Sequence, residues 1–95
     1  MEFVYKAPQR IDSMNAPKVQ EELIGEIQKV LSENADKIVI DMSETSYLSS
    51  AGLRIMTIAF KRAKGAGASF ALRGVSEMVQ DLFDVTGLSG YLPME

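Results

Sequence analysis

Cysteine and histidine are both absent from this 95-residue chain. Without cysteine the chain has no disulfide, no thiol nucleophile and no thiolate metal site. Without histidine it lacks the commonest general base and the commonest ligand of transition metals, and it cannot build a Ser-His-Asp triad. These two absences exclude the most frequent catalytic and metal-binding arrangements.

Long apolar runs and an excess of positive charge are missing as well. No stretch approaches the roughly 20 apolar residues of a membrane span, and the opening segment MEFVYKAPQR has no apolar core of a signal peptide. The net charge is −3 with a pI near 4.9, and a mildly acidic surface matches a phosphate backbone poorly. We therefore expect a cytoplasmic chain with no membrane span and no nucleic-acid partner.

The residues that are present suit one globular unit, so a single domain over 1–95 is expected. EFVYK, KIVIDM and ASFALR predict strands, and the nearly continuous apolar run of the second predicts burial on both faces. RIDSMNAPK predicts a turn that leads into a helix with a cap at Ser13 or Asn15, and an apolar stripe through Val19, Leu23 and Ile27 extends this helix to about Ser32. Apolar spacing predicts two more helices, from Ser50 or Ala51 to Lys64 and over VSEMVQDLFDVTGL, the last with Ser76 as its cap and Gly87 at its end. GYLPM predicts a short strand or a packed end. This alternation predicts a small α/β domain with a largely parallel sheet.

The connection after KIVIDM is the best candidate site, because sites in open α/β sheets form beyond the carboxyl ends of strands. It carries Ser49 and Ser50 at the start of the second helix. Either serine is a typical helix cap, with Gly52 allowing a close approach of the first turn. Either is also suited to phosphorylation, since a helix N-terminus stabilises negative charge. A nucleophilic role is disfavoured because no base is at hand. The residues alone do not decide whether these serines only cap the helix or are also phosphorylated.

The charged residues near this connection have ordinary structural interpretations. Asp41 is expected to hydrogen-bond the connection that follows its strand. A metal or acid–base pair of Asp41 with Asp12 has no fixed local spacing to support it. Arg54 and the basic residues at the end of the second helix are expected to be solvated, with the latter complementing the helix dipole.

The segment IVIDMSETSYLSSAGLRIM resembles the central signature of the STAS domain, the module of bacterial anti-sigma factor antagonists. That signature is an apolar strand, Asp-x-Ser, a short spacer, and a serine-containing loop that ends in Gly-Leu at a helix start. Asp41 and Ser43 match the Asp-x-Ser, and Ser50, Gly52 and Leu53 match the loop and helix start. QRIDSMNAPKVQEEL and FALRGVSEMVQDLFDVTGLSGYLPM are similar to the family's first and last blocks, so the resemblance covers nearly the whole chain.

The resemblance implies a fold and a way of working. The fold is a mixed β-sheet of about four strands with alternating helices packed against it. The implied function is partner switching without catalysis, cofactor or metal. The unmodified chain binds an anti-sigma factor of the serine protein kinase type, phosphorylation ends that binding, and a phosphatase restores it. The chain itself is expected to be a monomer or a weak homodimer. Alternatives are a STAS scaffold that is not phosphorylated and a module that binds a small ligand such as a nucleotide.

The resemblance also nominates residues. Ser50 is the phosphorylation candidate and Ser49 the second candidate, because the hydroxyl that usually precedes the glycine is replaced by Ala51. Ser49 itself stands where the family usually has an acid. A single strand precedes the first helix where the family normally has two, which predicts an open sheet edge. The implied partner-binding residues are Asp12, Asp41, Ser43, Ser49, Ser50, Ala51, Gly52, Leu53 and Arg54.

Overall fold

The structure, a computed structural model, describes residues 1–95 and contains five strands and three helices. The strands are β1 (Glu2–Lys6), β2 (Arg10–Ile11), β3 (Lys37–Asp41), β4 (Tyr47–Leu48) and β5 (Ser69–Arg73). The helices are α1 (Ala16–Ser32), α2 (Ser50–Gly65) and α3 (Glu77–Thr86), followed by a 3₁₀ turn at Leu88–Gly90. The predicted small α/β domain is confirmed. None of the helices combines the length and apolar composition needed to cross a bilayer.

The main sheet has the strand order β1-β3-β5, with Val39 of the central strand paired between Val4 and Ala71. Ile38, Val39 and Ile40 are fully buried, which confirms the prediction of a strand covered on both faces. Where the resemblance implied a mixed sheet, all pairs in the structure are parallel. The reason is connectivity, because a helix returns the chain between successive strands of the main sheet.

A second, two-stranded sheet pairs β2 with β4, also in parallel. The sequence predicted both segments as connections, and so only one strand before α1 where the structure has two, because two residues are too short to show the alternation of a strand. The register joins Arg10 to Tyr47 and Ile11 to Leu48. Ile11 and Leu48 are buried while Arg10 and Tyr47 are exposed, so this small sheet faces the core on one side only.

The core lies between the main sheet and the helices. The predicted inward face of α1 is confirmed by Val19, Leu23 and Ile27, which are all buried. The buried residues of α2 include Leu53 and Met56. These side chains belong to one continuous cluster with Ile38 and Ile40 of β3, so the two helices and the sheet form a single unit.

The helix ends follow the predictions in part. The Ser76 hydroxyl accepts a hydrogen bond from the Val79 N–H at 3.3 Å, and Gly87 ends α3 in the left-handed region at φ 79°. Asn15 occupies the cap position of α1, but its side chain makes no cap bond. Its Oδ1 accepts instead from the Asp12 N–H at 2.9 Å, because the preceding loop folds back on itself.

The C-terminal segment adds a short strand-like contact, one of the two predicted outcomes. Met94 pairs with Leu72 in a parallel bridge, and the Glu95 N–H donates to the Leu72 carbonyl at 2.8 Å. Leu92 is buried beneath this contact. The free side of β5 is therefore partly covered by the end of the chain.

Candidate functional site

The two-stranded sheet brings two loops side by side. Because β2 and β4 are parallel, the residues that follow them leave the sheet at the same end. The Ser49 N–H donates to the Ile11 carbonyl at 2.8 Å, so the loop that begins at Asp12 lies next to the start of α2. This geometry unites the Asp12 loop with the serines of the predicted site.

The first turn of α2 rests directly on this sheet, and Gly52 makes the contact. A Cβ atom at Gly52 would lie 3.1 Å from Leu48 Cδ2 and 3.2 Å from Ile11 Cβ. Contacts this short would force Leu48 or Ile11 to move, so glycine is the residue that fits this close approach without a shift of its neighbours. The close approach expected of Gly52 is thereby confirmed, and Leu48 and Ile11 are what it approaches.

The two serines at the start of α2 have different surroundings. Ser49 is half-buried, has extended backbone angles, and its Oγ accepts a long hydrogen bond of 3.4 Å from the Gly52 N–H. Ser50 is the first helical residue, is exposed, and its hydroxyl makes no hydrogen bond within the chain. Ser49 therefore caps the helix, and Ser50 is the hydroxyl available to another molecule.

The first turn of α2 also favours negative charge. The first N–H groups of a helix have no intrahelical acceptor and form the positive end of its dipole. No acidic side chain lies in this turn. Arg54, four residues after Ser50 and so on the same side of the helix, is exposed and takes part in none of the ion pairs. The solvated position expected of Arg54 is confirmed.

Asp12 organises the neighbouring loop. Its Oδ1 accepts hydrogen bonds from the Met14 N–H at 2.9 Å and the Asn15 N–H at 3.1 Å, and its Oδ2 accepts from Arg10 Nε at 3.1 Å. The bond from the Asn15 backbone, with further help from Met14 and Arg10, holds the pKa of Asp12 below its usual value. Asp12 is thus an ionised carboxylate that fixes the loop beside Ser49.

Asp41 and Ser43 lie elsewhere, at the end of the main sheet. The Ser43 N–H donates to Asp41 Oδ1 at 2.9 Å, and hydrogen bonds from Ser43 hold the pKa of Asp41 below its usual value. A Cβ atom at Gly74, which has φ 70°, would lie 3.0 Å from Ser43 Cβ. Asp41 therefore hydrogen-bonds the connection after its strand, as predicted, in a tight turn packed against the residue after β5.

The structure thus sorts the nominated residues. Asp12 lies at the two-stranded sheet with the α2 start, whose residues run from Ser49 to Arg54, whereas Asp41 and Ser43 form a separate turn. Within the α2 start, Gly52 and Leu53 are buried, Ala51 is half-buried, and Ser50 and Arg54 are exposed. No group of three or more acidic side chains is placed to hold a metal ion.

Sequence reasoning missed two features of this surface, its exposed apolar side chains and a groove. Met14 projects from the Asp12 loop with 88% of its surface exposed, and Tyr47 stacks its ring 5.1 Å from the Arg10 guanidinium. A groove of about 570 Å³ also runs beside Ala51 and Arg54, between α2 and the outer face of α1. Neither feature has a sequence motif, because each depends on which loops and helices become neighbours.

The model of the STAS domain family matches residues 2–95. The chain belongs to the STAS domain family. An anti-sigma-B factor antagonist of Listeria monocytogenes is 35% identical over 85 residues, covering 90% of this chain and 71% of the relative. This STAS chain is therefore related to the anti-sigma factor antagonists, as the sequence resemblance predicted.

Solved structures agree on the fold. A putative anti-sigma factor antagonist of Thermotoga maritima superposes with a TM-score of 0.82 at 20% identity, covering 98% of this chain and 77% of its own. The phosphorylated form of the Bacillus cell fate determinant SpoIIAA superposes with a TM-score of 0.70 at 13% identity, covering 99% of this chain and 82% of its own. At these identities the likeness concerns the STAS fold alone.

Proposed function

We propose that this chain is a partner-switching anti-sigma factor antagonist whose switch is Ser50. The unmodified chain binds an anti-sigma factor of the serine protein kinase type in the cytoplasm. Phosphorylation of Ser50 by that kinase ends the binding, and a phosphatase restores it, without any catalysis by the chain itself. The observation that carries the proposal is that Ser50 is exposed and unbonded at the first position of α2, while Ser49 already supplies the cap.

The relatives support the general role. The Listeria monocytogenes protein is named for antagonism of an anti-sigma factor, and the alignment covers most of both chains. SpoIIAA, which shares the fold, exists in a phosphorylated form. The partner and the modification are carried over to this chain as parts of the proposal.

The electrostatics of the α2 start explain how one phosphate acts as a switch. A phosphoryl group adds about −1.5 to −2 charges at neutral pH. At Ser50 it meets unbonded N–H groups, the positive helix end and no acidic side chain in the first turn. It therefore leaves the fold intact while it changes the charge of the surface that the partner contacts.

Arg54 increases the change that phosphorylation makes to this surface. Residues four apart on a helix are neighbours, and a guanidinium pairs with phosphate through two parallel hydrogen bonds. A phosphoryl group on Ser50 would therefore draw in Arg54, which has no other ion pair. The modification then both adds negative charge and removes a cation from the partner's reach.

The test measures phosphorylation and binding with the same proteins. The wild-type chain and its Ser50→Ala and Ser49→Ala variants are incubated with ATP and the anti-sigma factor kinases of the organism that encodes the chain, and the products are mapped by mass spectrometry. We expect phosphate on wild type and Ser49→Ala and none on Ser50→Ala. Phosphate on Ser49 alone, or on neither serine, would contradict the proposal.

Binding provides the second half of the test. We expect Ser50→Asp to weaken binding of the anti-sigma factor at least about 10-fold, because a carboxylate reproduces part of the added charge. Ser50→Asn is the matched control, with nearly the same size and no charge, and should bind like wild type. Equal binding by Ser50→Asp would indicate a constitutive STAS scaffold instead.

A further inference from the structure

Gly25, in the middle of α1, has no role within the folded chain. Glycine is among the poorest helix formers, so a helix-interior glycine calls for a structural reason. Gly25 does not have a positive φ, and a Cβ atom there would meet no other atom within 4 Å. Gly52 and Gly74, by contrast, are each pressed against a neighbouring residue. Neither backbone strain nor packing inside the molecule requires glycine at position 25.

Gly25 lies in the wall of the groove of about 570 Å³ between α1 and the first turn of α2. Its α1 wall consists of residues 16–17, 20–21, 24–25 and 28, and this spacing of three to four marks one face of the helix. At 1.5 Å per residue that face is about 18 Å long. From α2 only Ala51 and Arg54 line the groove. A groove of this length suits about three turns of another helix.

The chemistry of the groove indicates what that helix carries. Ile24, Gly25 and Ala51 give the groove an apolar part, and the small size of Gly25 and Ala51 permits close approach of a backbone. Glu21 and Arg54 line the groove without an ion pair of their own. A complementary helix therefore carries a basic side chain opposite Glu21 and an acidic side chain opposite Arg54. Only 3 of the 10 lining residues are hydrophobic, which favours a reversible interface over an obligate one.

We infer that the groove between α1 and α2 receives one helix of the anti-sigma factor, with Gly25 allowing its close approach and Arg54 pairing with an acid on it. This inference rests on the proposed function, whose switch it locates. Ser50 immediately precedes Ala51, which lines the groove, so a phosphoryl group there stands beside the groove. It occupies Arg54 and repels the incoming acid, which ejects the helix.

The test uses a substitution that strengthens the fold while it fills the groove. Gly25→Ala and Gly25→Gln both replace glycine by a better helix former in open space, so each should raise the Tm by a few degrees. Gly25→Gln should weaken binding of the anti-sigma factor by at least about 10-fold, measured by titration calorimetry, because its side chain projects into the groove. A loss of binding by a more stable protein does not come from unfolding.

Gly65→Gln is the matched control. Gly65 is the last residue of α2, and a Cβ atom there also meets nothing within 4 Å, but it does not line the groove. Gly65→Gln should bind like wild type. Arg54→Gln should weaken binding, and Lys61→Gln, which removes the same charge from an exposed site further along α2, should not.

The outcomes separate the two proposals. If the unmodified wild-type chain binds none of the serine-kinase anti-sigma factors of its own organism, the proposed function fails and the groove inference falls with it. If wild type binds and Gly25→Gln binds equally well, the groove inference is overturned while the proposed function stands. Binding that is lost in Gly25→Gln and kept in Gly65→Gln supports both.

Discussion

Two turns of this molecule, one after β3 and one at the start of α2, carry residues of the same family signature, yet they are built differently. In the turn after β3, Asp41 accepts from the Ser43 N–H and the Met42 N–H donates to the Arg73 carbonyl at 2.8 Å. At the start of α2, the hydroxyl of Ser50 has no partner within the chain. One turn uses its polar groups internally, and the other leaves one for a second molecule.

The difference shows how a signature mixes two kinds of residue. Asp41, Ser43 and Gly52 match the family signature, and their short contacts show that they hold two loops in place. Ser50 resembles it without contributing any contact to the fold. Substitutions should therefore separate the two kinds, with losses of stability at the first and losses of function at the second.

Gly52 should give the largest loss of stability. Gly52→Val places methyl groups where a Cβ atom alone would already lie 3.1 Å from Leu48 Cδ2. Overpacking of this kind costs about 1–3 kcal/mol, and urea denaturation should show that decrease in the free energy of unfolding. Gly65→Val, at a helical position with open space around it, is the control and should change stability by no more than about 0.5 kcal/mol. Equal effects of the two substitutions would show that the close contact at Gly52 does not exist in solution.

The adjacent serines should show a smaller contrast. Ser49→Ala removes the cap of α2, which typically costs about 0.5–2 kcal/mol, and the long 3.4 Å bond places the loss near the lower end. Ser50→Ala removes no hydrogen bond and should leave the free energy of unfolding within about 0.5 kcal/mol of wild type. Thermal and urea unfolding of the two variants measure this difference. A greater loss for Ser50→Ala than for Ser49→Ala would reverse the assignment of cap and free hydroxyl.

Much of this fold could be predicted from periodicity alone. The apolar run of β3 indicated a strand buried on both faces, and the stripe through Val19, Leu23 and Ile27 indicated the inner face of α1. Local chemistry also located the ends of α3, since Ser76 and Gly87 act within a few residues of themselves. These features depend on short-range geometry, which a sequence records directly.

The rest depends on contacts between distant segments. The segments β2 and β4 are strands only because they pair with each other, although they lie 37 positions apart in the chain. Asn15 occupies the cap position of α1, as one of the two predictions had it, but its side chain bonds back to Asp12 and makes no cap bond to the helix. The choice between Ser49 and Ser50, and the groove beside Gly25, likewise required the packing of α2 on its neighbours.

The smallest predicted effect concerns pH and the turn after β3. Hydrogen bonds from Ser43 lower the pKa of Asp41 from its ordinary 3.8, so its ionised form is favoured in the folded state. That contribution to stability is present above the ordinary pKa and is lost as the pH falls through the lowered one.

Asp41→Asn keeps an oxygen that accepts from the Ser43 N–H but removes the charge. The variant should unfold at slightly lower urea than wild type at neutral pH, and the gap should close in acid. Asp81→Asn, at an exposed position without an ion pair, is the control for loss of a surface carboxylate and should leave the free energy of unfolding at neutral pH within about 0.5 kcal/mol of wild type. A gap for Asp41→Asn that persists in strong acid would mean that the amide disturbs the turn itself, and that the charge of Asp41 is not what stabilises it.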